Sequence, residues 1–126
     1  MHKVENLKIW QKSIELTKLV YEVVISLPSD EKYGLISQIK RSSVSIPSNI
    51  AEGAGRNSNK EFKYFLSVAN GSAYELHTQL ILTAELNLIS KDKIQPVLDL
   101  IIEVQKMNYS FQKSIENKIS ILSTQT

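Results

Sequence analysis

The chain of 126 residues contains no cysteine. That removes disulfides, thiolate nucleophiles and cysteine-based metal sites. Histidine is nearly as scarce: there are two, His2 and His77. His77 lies in a helical pattern with Glu75 two residues before it, which places that acid on a different face. The Glu-x-x-His pairs of di-iron bundles are missing, so no paired metal site is expected. Serine is plentiful, yet no G-x-S-x-G elbow or S-x-x-K accompanies it. Gly53-Ala54-Gly55 is not a phosphate loop, because no strand precedes it and no G-x-x-x-x-G-K-[ST] contains it. No apolar run approaches the roughly 18 residues that span a bilayer. The opening MHKVENLKIW is charged and lacks the apolar core of a secretory signal. No Asn-Gly or Asp-Gly turn joins two alternating runs, which counts against β structure. These absences set the expectations: no enzyme, no cofactor, no metal, no small-molecule substrate, no membrane span and, by default, a cytoplasmic location.

What remains is helical. Apolar residues make up 42% of the chain and charged residues 22%, enough to bury a core in one domain over residues 1–126. The first helix is predicted over about 7–27, with Ile9, Leu16, Val20, Val23 and Leu27 as its stripe and Trp10, Ile14, Tyr21 and Val24 beside it. Pro28 ends it, and Ser29 or Asp30 can cap the next. The second helix is predicted over about 31–54, closed by Gly53 and Gly55, where glycine tolerates positive φ. Ser58-Asn59-Lys60-Glu61 matches a capping box and starts a third helix, about 59–88. Phe62, Phe65, Ala69, Ala73, Leu76, Leu80 and Thr83 form its seam. Gly71 lies in its middle, where a close neighbouring helix is the expected return. Ser90 to Asp92 cap a fourth helix, about 91–118, with Ile94, Val97, Ile101, Val104, Phe111, Ile115 and Leu122 as its seam and Ser123 to Thr126 fraying. Short links make sequential helices antiparallel neighbours. The predicted fold is all-α, an up-down-up-down four-helix bundle with a kinked second helix near Pro47.

The segment Tyr33 to Glu61 breaks the ordinary pattern. Ser42, Ser43, Ser45, Pro47, Ser48 and Asn49 crowd the middle of a helix that should carry leucine or alanine. Pro47 frees a carbonyl, and the Ser43 and Ser45 hydroxyls are candidates to meet the freed backbone groups. Gln38, Ser43, Ser45, Asn49 and Glu52 form a candidate structural polar network. Arg41 and Glu52 share a face three turns apart, either paired elsewhere or solvated. Residues 1–63 carry 10 Lys and Arg against 7 Asp and Glu, or +3; residues 64–126 carry 5 against 6, or −1. Lys8, Lys12, Lys40, Arg41, Arg56, Lys60 and Lys63 are therefore the candidate nucleic-acid-binding set, or else ordinary solvated faces. Trp10, Tyr33 and Tyr64 are candidate base-stacking groups, although Trp10 suits the core better.

Two stretches resemble a known family. Leu7-Lys8-Ile9-Trp10-Gln11-Lys12 matches the L-x-[VI]-W-Q-K opening of the four-helix bundle proteins encoded in intervening sequences of bacterial 23S rRNA genes. Tyr33-Gly34-Leu35, Gln38-Ile39-Lys40-Arg41 and the string SIPSNIAEG from Ser45 to Gly53 match its central run. Arg56, Ser58, Glu61, Phe65-Leu66, Ala69, Gly71-Ser72, Glu75 and Gln79-Leu80 extend the likeness, which covers about residues 7–90. The resemblance implies a left-handed four-helix bundle that assembles as a homopentamer and has no established enzymatic activity. A related member is the accessory protein of diversity-generating retroelements, which binds reverse transcriptase and nucleic acid. By that resemblance the expected partners are further copies of the chain, RNA or DNA, or a nucleic-acid enzyme. The runner-up is a structural oligomer or protein-binding adaptor that binds no nucleic acid.

Overall fold

Apolar side chains at three- and four-residue spacing build four long helices in the computed structural model, which describes the backbone of residues 3–31 and 34–125 and the side chains of 3–30 and 34–119. His2, Tyr33, Thr126 and the side chain of Leu122 lie outside the described residues, so the expectations attached to them are not taken further. A single 3-10 turn, Val4–Asn6, leads into α1, Lys8–Val24. A second, Ser29–Glu31, follows Pro28 and precedes α2, Leu35–Ala54. The predicted start of α2 near residue 31 therefore falls in a 3-10 turn. Helices α3, Asn59–Glu85, and α4, Lys91–Gln125, complete the chain. α4 runs through Ser123, where fraying was expected.

Each helix packs on its sequence neighbours, and α4 returns to α1 and closes the square. Among the described residues the backbones of the diagonal pairs α1–α3 and α2–α4 do not come within 8 Å, Cα to Cα. This is the up-down-up-down arrangement that short connections favour. Leu16, Val20, Ile39, Ile46, Ile50, Phe62, Leu66, Leu76, Leu80, Ile94, Ile101 and Ile115 fill the centre. Among the described residues no helix is long and apolar enough to cross a membrane.

The helix ends show which residue satisfies which backbone group. At the start of α3 the Ser58 hydroxyl accepts the Glu61 amide at 3.1 Å and donates to the Glu61 carboxylate at 3.1 Å. At its end Asn87 takes φ 60°, the Leu88 amide reaches the Thr83 carbonyl at 3.1 Å, and the Asn87 amide reaches Ala84 at 2.9 Å. That is a Schellman closure with asparagine in the left-handed position. Positive φ was expected at the end of α2. Gly55 instead has φ −83° and remains right-handed.

Gly53 is needed for proximity rather than for backbone freedom. A Cβ added there would lie 2.8 Å from Cβ of Phe65, 2.9 Å from Cδ1 of Phe62 and 3.2 Å from the Phe62 carbonyl oxygen. The first of these atoms is fixed to the α3 backbone and cannot swing aside. Gly53→Ala is therefore expected to destabilise the fold by about 1–3 kcal/mol despite alanine's better helix propensity. Urea melts of the two proteins check this, and an unchanged or raised midpoint would contradict the close approach. Gly71 behaves in the opposite way. Among the described residues nothing lies within 4 Å of a Cβ added there, so no neighbouring helix of the same chain touches it. The expectation of a close neighbour at Gly71 fails within the bundle.

Candidate interaction surface

Pro47 is buried inside a continuous α2 and has no N–H to offer the carbonyl of Ser43. The freed oxygen accepts a hydrogen bond from the Thr17 hydroxyl of α1 at 3.0 Å. Thr17 also lies 2.9 Å from the Ser13 carbonyl on its own helix, so one hydroxyl serves both. The Ser43 and Ser45 hydroxyls, expected in this role, are used elsewhere. Ser43 Oγ turns back to the Lys40 carbonyl at 2.9 Å. Ser45 Oγ crosses to α3 and meets Ser72 Oγ at 2.8 Å.

That crossing belongs to a polar seam between α2 and α3. Ser42 Oγ donates to Oε1 of Gln79 at 2.7 Å. Asn49 Nδ2 donates to the Ser45 carbonyl at 2.8 Å and to its hydroxyl at 2.9 Å. Of the five network candidates, Ser45 and Asn49 join the seam and Ser43 is buried beside it. Gln38 is exposed and Glu52 points to the surface, so neither takes part. A second seam joins α3 to α4. Asn108, 1% exposed, donates to the Leu66 carbonyl at 2.9 Å. Gln112 donates to the Asn108 side chain at 2.5 Å and accepts from Ser67 at 3.2 Å. Sequence reasoning missed Thr17, Ser72, Gln79, Asn108 and Gln112. The one available signal was polar residues at positions in phase with an apolar stripe.

Of the seven candidate cations, four are engaged within the chain. Arg56 lies between Glu52 at 2.5 Å and Glu61 at 3.9 Å, with its guanidinium 4.9 Å above the Phe65 ring. Glu52 is thus solvated and paired one turn on, while Arg41, on the same outer face, is exposed with no ion-pair partner among the described residues. Lys12 reaches Glu103 at 3.4 Å and Glu15 at 3.5 Å. Lys63 reaches Glu116 at 2.7 Å, and Lys40 lies 5.0 Å over the Tyr21 ring. Lys8 and Lys60 are exposed and, among the described residues, unpaired. Tyr64 is 62% exposed, with its ring edge against Phe65 at 5.1 Å, and Trp10 packs against the core.

Two of these straps leave an electrostatic mark. The hydrogen bond from Lys63, and then that from Lys113, hold the Glu116 carboxyl below the ordinary glutamate range. A lowered folded value means the strap is present above the unfolded pKa and is lost as pH falls through the folded one. Carbon-13 titration of Glu116 should give a midpoint below that of a free glutamate, and Lys63→Ala should raise it. A midpoint unmoved by that substitution would remove the strap from the account. Lys12 is the mirror case. Glu103 first and Glu15 second raise it, so its contribution is present below the ordinary lysine value and lost as pH rises through the raised one.

No catalytic constellation assembles from these groups. No cluster of three or more metal-ligating side chains exists among the described residues, and His77 is half-buried in α3 with no carboxylate partner among them. The geometry offers packing seams, helix-to-helix straps and exposed side chains.

Comparison with known proteins identifies a family and a fold. The model of a family described as 23S rRNA-intervening sequence protein matches residues 5–110. A 1.70 Å crystal structure of a protein with unknown function, from the S23 ribosomal protein family of Bacteroides thetaiotaomicron, superposes with a TM-score of 0.75. It is 24% identical, and the match covers 83% of this chain and 98% of that one. At that identity the likeness establishes the fold. No curated protein matches the sequence.

Proposed function

The chain belongs to the 23S rRNA-intervening sequence protein family, and from that premise we propose that it is a non-enzymatic, cytoplasmic oligomeric bundle acting as a structural or protein-binding adaptor. Gly71 carries this reading. A glycine inside a helix costs about 1 kcal/mol relative to alanine. Here the bundle gains nothing in return, because the space over Gly71 is open. Tyr64, 62% exposed, and Leu82, 45% exposed, lie on the same face of α3, seven residues before and eleven after. A neighbouring copy seated on that face would use the missing side chain and cover the apolar ones. The family resemblance supports a pentamer as the form of that assembly.

Native mass measurement tests the proposal. The expected result is a pentamer of the 14.3 kDa chain, which Gly71→Glu dissociates while leaving helix content intact. A monomeric wild type at micromolar concentration overturns it. A nucleic-acid role draws support from Lys8, Arg41 and Lys60, which keep exposed charges free of ion pairs among the described residues. Four of the seven candidate cations (Lys12, Arg56, Lys63 and Lys40) are already engaged within the chain, which favours the adaptor. Affinity for duplex DNA falling with log salt at about 0.9 per phosphate contact would reverse that preference.

A further inference from the structure

An open groove of about 490 Å³ runs along α3 and α4, lined by Tyr74, Ile102, Gln105, Lys106, Tyr109 and Ser110. Its apolar surface is uncovered: Tyr74 is 61% exposed, Tyr109 65% and Ile102 41%. Gln105 presents the one buried side-chain nitrogen or oxygen that lacks a hydrogen-bond partner among the described residues, its Nε2. An amide N–H withdrawn from water without an acceptor is costly, and an acceptor brought by a ligand would relieve it. The one charged side chain lining the groove among the described residues is a lysine. Lys106 is exposed without an ion pair among the described residues, and Lys113 lies 5.4 Å over the Tyr109 ring. The nearby Glu116 is already held by Lys63 and Lys113, and among the described residues no carboxylate lines the groove.

We propose that this groove docks an acidic peptide segment of a partner protein, with one apolar side chain set between Tyr74 and Tyr109 over Ile102 and a backbone carbonyl accepting from Gln105. This rests on the adaptor function proposed above and names the chemistry of its partner. Charge complementarity selects the occupant. A basic segment would meet Lys106 and Lys113 with like charge, and a purely apolar face would leave both the lysine and the Gln105 amide without acceptors. Exposed tyrosines suit such a role, since each offers a large rigid contact with a polar tip.

The test is fluorescence anisotropy of the full chain with three labelled hexapeptides at low salt. The first is Glu-Asp-Leu-Phe-Glu-Asp. The second carries Lys and Arg in place of its acids, and the third carries Ala in place of Leu-Phe. The expected result is that the first binds at least about tenfold tighter than either control. Tyr109→Ala and Lys106→Glu, both on exposed side chains, should each weaken it about tenfold with oligomer mass unchanged. Equal affinity for the three peptides, or variants that bind as wild type does, would overturn the proposal. So would variants that lose the assembly, because the groove would then lie between subunits. A single-stranded RNA that outcompetes the peptide and shows the same variant sensitivity would assign the groove to nucleic acid instead. A monomeric wild type that still selects the acidic peptide would sink the oligomer and leave the groove standing.

Discussion

Phe62→Ala should lower the stability of the fold by about 3–5 kcal/mol, the range for emptying a fully buried aromatic site. Phe62 is 2% exposed in the first turn of α3. Its ring centre lies 5.2 Å from that of Phe111 on α4, tilted by 58°. Its other side meets the last turn of α2 where Gly53 has no side chain. One ring therefore ties three helices at one end of the bundle. The site cannot collapse readily, because the α2–α3 turn is pinned from outside by Arg56, Glu52, Glu61 and the Ser58 cap. Against a total stability of about 5–15 kcal/mol, such a loss removes about a fifth of it or more. Urea melts at fixed protein concentration would measure it. Tyr64→Ala, two residues on and exposed, serves as the control and should shift the midpoint by less than about 0.5 kcal/mol. Equal losses at both positions would show that Phe62 matters only through helix propensity.

Thr17→Val should cost about 1–3 kcal/mol, and Pro47→Ala should erase most of that cost. Valine keeps the shape of threonine and removes the hydroxyl. In the natural background this leaves the Ser43 carbonyl beside a proline without its donor from α1. Alanine at 47 restores an amide in register with that carbonyl, so losing the threonine hydroxyl no longer strands it. The effect of Pro47→Ala alone combines a gained helical bond with a lost buried ring, and the double-mutant cycle does not depend on its sign. The coupling between the two positions should be about 1 kcal/mol or more. Strict additivity would show that the Ser43 oxygen does not depend on Thr17.

These two sites show what was legible in the sequence. Phe62 was readable, since it falls in phase with Phe65, Ala69 and Ala73 immediately after a capping box. The same periodic signals located all four helices, because an apolar stripe and a cap are local properties of the chain. Thr17 was not readable. It is a polar residue inside a helical pattern, and its importance comes from lying opposite Ser43, 26 positions away. Asn108 and Gln112 escaped for the same reason, since only the packing of α3 on α4 brings them to Leu66 and Ser67. The candidate cations were legible as charges and not as roles. A lysine that straps two helices and one that faces water look alike until the facing carboxylate is placed, as Lys63 and Lys60 show. Gly53 and Gly71 reversed expectation together. The terminal glycine turned out to admit a ring, and the central one faces open space.

The seam between α2 and α3 also bears on how this sequence can change. Isoleucine and leucine contacts survive a slide of one helix along another, because one aliphatic surface is much like the next. Hydroxyl and amide contacts do not. A shift of one turn, about 5.4 Å, would part Ser45 from Ser72 and Ser42 from Gln79 at the same moment. Core positions can therefore drift one at a time among residues of similar volume. The seam positions can drift only in partnership, since each replacement strands the group across from it. Descendants of this chain should keep or exchange Ser45 with Ser72, and Ser42 with Gln79, as units of inheritance.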